Sequence, residues 1–343
     1  MHVHFKNDTG KCHEVQGSDT VTQVIRAPDG RKLSFETTGA PRGKPVFLLH
    51  GTPGGRNGPR PRGIVLYRLG IRMISYDRPG YPGSDRKPDR TVADAADDVA
   101  AIADFLGIDQ FSVVGRSGGA PHALACAARL KDRVICAAAL ASLAPHDAKG
   151  LDWDSGMAAS NVDAYRKAGD DLGALIAYLD EQAGQVRGHS EGLLKRLWPE
   201  LVGHDKDVIG DIALRRIIAQ IHAEALSETA YGWIDDVVAL GHPWGFDPAD
   251  ITAPVKLWNG SEDVFSPASH TYWLGERILS SELEVQDGVA HFAAVEILPR
   301  ILIWVADKAN VANKANRERQ AEWPVGDVGS GIGPMSLAGQ ARV

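Results

Sequence analysis

Acyl transfer needs a hydroxyl or thiol nucleophile, a base to take its proton, and a carboxylate that holds the base in its working tautomer. The pattern Gly-x-Ser-x-Gly occurs twice in this chain, as Gly115-Arg116-Ser117-Gly118-Gly119 and as Gly188-His189-Ser190-Glu191-Gly192. The pattern alone is weak, and its surroundings decide. The chemistry requires a sharp turn from strand to helix. Such a turn pushes the hydroxyl out of a sheet and aims helix N-terminal N–H groups at the reacting carbonyl. Phe111-Ser-Val-Val114 precedes Ser117 and reads as a short buried strand. Pro121 is tolerated in a first helical turn, and Ala123, Ala125, Ala127 and Ala128 let that helix pack closely. Ser190 has no strand before it and sits among polar residues. Ser117 is therefore the candidate nucleophile, against the alternative of an ordinary Gly-rich turn.

The base should follow the acid in chain order, in a loop after a late strand. His291, in Asp287-Gly-Val-Ala-His291 after the strand-like Leu283–Val285, meets that condition. His270 is the rival, but it falls in a helical stretch. His122 is expected to pack within the helix after Ser117, and His50 to be a structural hydrogen-bonder. Asp263, in Trp258-Asn-Gly-Ser-Glu-Asp263-Val-Phe-Ser-Pro267, is the candidate acid, with Asp147 as the alternative and Glu262 as a surface charge. The segment His50-Gly51-Thr52-Pro53-Gly54-Gly55 follows the apolar run Val46–Leu49. A loop there lies where open α/β sheets bind ligands. The backbone N–H groups of Thr52 and Gly118 are the candidate oxyanion donors. Neither Gly-x-Gly-x-x-Gly nor a Gly-Lys-Ser/Thr ending is present, so a phosphate loop is not indicated.

These residues need a scaffold. Val21–Ile25 and Lys32–Thr37, joined by Pro28-Asp29-Gly30, read as a hairpin. Short apolar runs at Val46–Leu49, Arg72–Tyr76, Phe111–Val114, Val134–Leu140, Val255–Trp258 and Leu283–Val285 read as strands. Helical periods separate them: one opened by a capping box at Thr91-Val-Ala-Asp94 and closed by Gly107, one over Ala123–Leu130, and one over His270–Ile278. A last helical segment runs to about Lys308, divided near Pro299. The alternation predicts an α/β fold with a mostly parallel sheet and helices on both faces. Residues 20–145 and 251–309 form the expected core. Residues 146–250 show helical periods only and read as an inserted helical cap. Residues 1–19 are expected to be a loose arm, and 310–343 a disordered tail.

The chain has 343 residues, 44% hydrophobic and 24% charged, with a net charge of −7. No positive field is available for a polyanion, so nucleic acid is not an expected partner. No apolar run has bilayer length, and the N-terminus lacks an apolar h-region, so neither a membrane span nor a secretory signal is expected. Three widely spaced cysteines, Cys12, Cys126 and Cys136, suggest neither a disulfide framework nor a zinc site. A cytoplasmic protein acting on a small molecule, without metal or organic cofactor, is the expectation. Oligomeric state is not indicated.

With Ser117, Asp263 and His291 in that order, the sequence resembles the α/β-hydrolase superfamily, in the serine hydrolase branch with a helical cap. Four segments carry the match: His50–Gly55, Asp77-Arg-Pro-Gly-Tyr-Pro-Gly-Ser84, Gly115–Gly119, and Asp263 with His291. The second is similar to a structural loop of the family. His-Gly-x-Pro also occurs in epoxide hydrolases and dehalogenases, which use an aspartate where Ser117 stands. The oxyanion loop is similar to that of proline iminopeptidases, whose elbow usually has Trp after the serine where Gly118 stands. The resemblance implies hydrolysis, through an acyl-enzyme, of a carboxylic ester of a small or medium apolar substrate. An aminopeptidase or amidase is the alternative, and would need acids such as Asp152, Asp154 or Asp170 facing the site. A slow-turnover ligand-binding protein is a third reading. Cap aromatics, among them Trp153, Trp198, Trp233, Trp244, Tyr165, Tyr178 and Tyr231, either line a pocket or form cap core. Arg56, Arg60 and Arg62 either bind a substrate carboxylate or form a solvated basic loop.

Overall fold

The computed structural model describes residues 20–322. Eight strands form one sheet: β1 (Val21–Arg26), β2 (Lys32–Gly39), β3 (Lys44–Leu49), β4 (Ile71–Tyr76), β5 (Phe111–Arg116), β6 (Val134–Leu140), β7 (Val255–Gly260) and β8 (Ser281–Gln286). Their spatial order is β1-β2-β4-β3-β5-β6-β7-β8. The β1–β2 and β2–β4 pairs are antiparallel, and every other pair is parallel. The order turns back between β3 and β5. Crossovers leave that point in opposite directions, which opens a crevice beyond the strand ends. The loops beginning at His50 and Ser117 both emerge there.

Helices cover both faces. On one lie α2 (Ala95–Phe105) and α3 (Gly119–Arg129); on the other lie α1 (Gly63–Leu69) and α12 (Leu298–Glu322). The pleat sorts the side chains. Phe47 and Leu49 join a core with Val99, Ile102, Val113 and Leu124, while Val46 and Leu48 join another with Leu66, Val114, Leu302 and Val305. Two buried faces explain why these strands read as continuous apolar runs. The capping box at Thr91 forms, with the Asp94 carboxylate accepting from the Thr91 N–H at 2.6 Å. Helix α1 has no counterpart in the sequence reading. It is short, and Leu66 is its buried residue.

Between β6 and β7 the chain is helical: α4 (Ala159–Asp170), α5 (Leu172–Gly188), α6 (Gly192–Leu197), α7 (Gly203–Gly210), α8 (Ile212–Ala225) and α9 (Tyr231–Leu240). Then come α10 (Ala268–Arg277) before β8 and the short α11 (Ala293–Glu296) after it. The tail expected from residue 310 is corrected in part, because α12 continues to Glu322. That stretch is rich in Ala, Lys, Arg and Glu, which favour helix without needing an apolar stripe. The remainder of the expected tail, and the arm at 1–19, lie outside the described residues.

Candidate functional site

Ser117 follows β5 with φ of 53°, a left-handed conformation that a non-glycine residue holds only under constraint. Its N–H donates to the Leu140 carbonyl at 2.8 Å, and its carbonyl accepts from the Ala120 N–H at 2.8 Å. The flanking glycines are steric requirements. A Cβ on Gly115 would stand 2.1 Å from the Gly119 carbonyl oxygen, and one on Gly119 would stand 2.4 Å from the Leu49 and His50 carbonyls. The elbow thus presses directly on the end of β3.

His291, in the loop after β8, lies with Nε2 3.0 Å from Ser117 Oγ. Its Nδ1 lies 2.9 and 3.1 Å from the two Asp263 oxygens. Asp263, in the turn after β7, is buried, and its Oδ1 also accepts from the Phe265 and Ser266 N–H groups at 2.8 Å each. The Asp263 carboxylate makes Nδ1 the donor, which leaves Nε2 free to accept the Ser117 proton. Burial alone would lower the His291 pKa. The Asp263 charge and hydrogen bond outweigh it, with help from the Asp205 charge, and the pKa rises above its ordinary 6.5.

Thr52 and Gly118 meet across the crevice. A Cβ on Gly118 would stand 2.2 Å from Thr52 Oγ1, so the residue after Ser117 has no room for a side chain. The His122 Nδ1 lies 2.7 Å from the Gly118 carbonyl and fixes that peptide from the helix side. A buried ion cluster holds the Thr52 loop. Asp236 of α9 accepts from Arg78 Nε at 3.0 Å and Arg90 Nη2 at 2.7 Å on one oxygen. On the other it accepts from Arg78 Nη2 at 2.5 Å, and from the Tyr81 and Thr52 hydroxyls at 2.7 Å each. Arg78 Nη2 also donates to the Gly51 carbonyl at 3.0 Å. Burial would raise the Asp236 pKa, but the charges of Arg78 and Arg90 hold it well below the usual carboxylate value.

A second buried carboxylate holds the His291 loop. Asp205 of α7 accepts from the His291 N–H at 3.2 Å and from the Phe292 N–H at 2.7 Å. Sequence reasoning singled out neither Asp236 nor Asp205. Asp236 did leave a trace, as one of two adjacent carboxylates, Asp235 and Asp236, inside the helical run Ile234–Leu240. Asp205 left none.

The rivals lie elsewhere. Ser190 and Asp147 are exposed. His270 is buried, accepts from the Ala144 N–H at 3.0 Å and bonds to the Trp153 carbonyl. His50 bonds to the Gly51 carbonyl through Nδ1 and accepts from the Arg78 N–H through Nε2, as expected of a structural histidine. Arg56 and Arg60 neither bind in the cavity nor form a solvated loop: Arg56 pairs with Asp77 and Glu36, and Arg60 with Glu36. Their role is to brace the loop from outside. Of the aromatics between β6 and β7, Trp233, Tyr165 and Tyr178 line the cavity above Ser117, whereas Trp153 and Trp244 are core and Trp198 and Tyr231 are exposed. The rest of the cavity wall mixes aliphatic residues, among them Leu143, Leu179, Ile218, Ile221 and Leu240, with polar ones such as Arg116, Asn161, Gln182 and His222. Among the described residues, no group of three or more His, Cys, Asp or Glu is arranged to hold a metal, and no helix is long and apolar enough to cross a membrane.

The sheet order, elbow and crevice define an α/β-hydrolase-fold protein, and a family model described as the alpha/beta hydrolase fold matches residues 44–168. The chain is similar to the branch that holds esterases and proline iminopeptidases. A proline iminopeptidase of Neisseria gonorrhoeae is 24% identical over 310 residues, 81% of this chain and 96% of that one. One of Xanthomonas citri is 34% identical, but over only 30% of this chain and 34% of its own length. Among solved structures, the enol-lactonase from Burkholderia xenovorans LB400 superposes with a TM-score of 0.62 at 17% identity, covering 84% of this chain and all of that one. A thermophilic esterase from Thermogutta terrifontis gives 0.57 at 21%, covering 88% of this chain and 98% of that one. At such identities the likeness shows the fold alone.

Proposed function

We propose that this hydrolase-fold protein is a serine hydrolase that cleaves carboxylic esters through an acyl-enzyme. Ser117 attacks the ester carbonyl as His291 Nε2 takes its proton, and Asp263 stabilises the imidazolium. The N–H groups of Thr52 and Gly118 hold the oxyanion. The imidazolium then protonates the departing alcohol. Water, deprotonated by His291, attacks the acyl-enzyme and releases the acid. Residues 146–250 act as the cap, and its inward-facing side chains set specificity.

The observation that carries the reading is the unbroken path Asp263–His291–Ser117, opening into a cavity large enough for a small substrate between the sheet and the helices above it. Replacing Ser117 by Ala removes the nucleophile. Turnover of p-nitrophenyl esters should fall by roughly 10⁶-fold, and labelling by a fluorophosphonate should vanish, with the thermal midpoint preserved. Unchanged hydrolysis or labelling rejects the assignment.

The iminopeptidase reading has the named relatives in its favour. Holding a free amine calls for a carboxylate, yet among the described residues no Asp or Glu lines the cavity, and Asp152, Asp154 and Asp170 are exposed. A panel of esters beside aminoacyl anilides separates the two, because faster turnover of a prolyl anilide than of any ester reverses the preference.

A further inference from the structure

The cavity holds a charged group that the acyl-transfer chemistry does not use. Arg116, the residue before Ser117, lines it. Its Nη1 is shut off from solvent and has no hydrogen-bond partner among the described residues. The arginines behind the cavity wall are paired with acids, Arg78 and Arg90 with Asp236 and Arg56 with Asp77, whereas no acid pairs with Arg116 among the described residues. A guanidinium carries five N–H donors in a planar fork that suits a carboxylate, and leaving them dry and unpaired is costly. Arg116 also stands beside the reacting centre. A Cβ on Gly51 would lie 3.5 Å from Ser117 Cβ and 4.0 Å from Arg116 Nη2.

The cap supplies the rest of the pocket. His222 of α8 lines the same cavity, with its Nδ1 buried and unpartnered among the described residues. Burial and the Arg116 charge push its pKa down to about 4, so at neutral pH it is an uncharged imidazole able to donate one hydrogen bond. Arg196 of α6 also faces in. It donates to the Tyr178 hydroxyl and keeps a buried, unpaired Nε. Two guanidinium groups and a neutral imidazole thus face a wall that contains no acid among the described residues.

We infer that Arg116 and His222 form an anion subsite beside Ser117, and that the substrate is an ester bearing a carboxylate near its scissile carbonyl. The inference rests on the ester-hydrolase reading and narrows its substrate class. The carboxylate takes the Arg116 fork, with His222 donating from the cap side. The aliphatic wall packs the short chain between the charge and the reacting carbonyl.

The test compares matched esters of one leaving group, mono-4-nitrophenyl glutarate against 4-nitrophenyl pentanoate, and a second pair with the charge on the alcohol side, 4-carboxyphenyl butyrate against phenyl butyrate. At least one anionic ester should lead its neutral partner in kcat/KM by roughly 10- to 100-fold. In Arg116→Met that ratio should collapse toward one, and Arg116→Lys, which keeps the charge but loses the fork, should fall between. No preference for either anionic ester in the wild type overturns the inference. So does an Arg116→Met protein that loses activity on charged and neutral esters alike. If Arg116→Met does not fold, the wild-type ratios and Arg116→Lys decide. Should no ester be turned over, the hydrolase reading fails separately, and glutarate binding decides the subsite: a thermal shift in the wild type that is smaller in Arg116→Lys supports it, and no shift in the wild type overturns it.

Discussion

Two aspartates from the helices between β6 and β7 are buried, and they differ in what they meet. Asp236 meets two guanidinium groups and two hydroxyls; Asp205 meets two backbone N–H groups and the field of a histidine. Burial opposes ionisation at both. At Asp236 the two arginines win and the pKa falls well below normal. At Asp205 the His291 charge and the peptide hydrogen bonds only partly offset burial, and the pKa is raised. Each secures one side of the crevice: Asp236 the Thr52 loop, Asp205 the His291 loop. One acts as a permanent countercharge that locks structure. The other, its pKa raised by burial, holds the His291 loop through peptide N–H groups.

The sharpest break in that comparison is Asp236→Ala, which strands two buried arginines without a countercharge. Removing one partner of such a cluster costs about 3–5 kcal/mol, so urea unfolding should show a loss of that size. A loss under 1 kcal/mol would mean the cluster is already solvated. Asp205→Ala should cost less, about 1–3 kcal/mol, because it orphans peptide donors and no full charges. Its main effect should appear in kcat for ester hydrolysis, through a loosened His291 loop, with KM little altered. A change confined to KM would deny Asp205 any hold on the base. The smallest effect should come from Asp205→Asn, which keeps an acceptor but removes the charge. In the proposed mechanism His291 must be neutral to act, and its pKa is raised above 6.5, so activity should fall as pH drops through that raised value. Without the Asp205 charge the limb should move to lower pH. A shift upward, or none, would remove Asp205 from the electrostatics of the site.

The two aspartates also mark where sequence stops being informative. Ser117, His291 and Asp263 were legible because each sits at a strand end in a short motif whose local geometry is prescribed. The buried strands were legible because both of their faces are covered. Asp205 and Asp236 lie within helices that pack by surface shape, and a carboxylate among helical residues reads like any solvated charge until its partner is known. Arg116 was hidden by its own motif, since it fills a position that the Gly-x-Ser-x-Gly pattern leaves unspecified. The extension of α12 was missed for a related reason. A helix held by backbone propensity leaves no apolar period to find.

The contact between Thr52 and the bare α-carbon of Gly118 has a consequence for variation at this crevice. The two residues occupy one volume from opposite walls, so neither can enlarge unless the other shrinks. A side chain at position 118 of this chain would call for something smaller than threonine at position 52. A paired exchange at 52 and 118 would reshape the space beside the reacting carbon while leaving the strands beneath untouched.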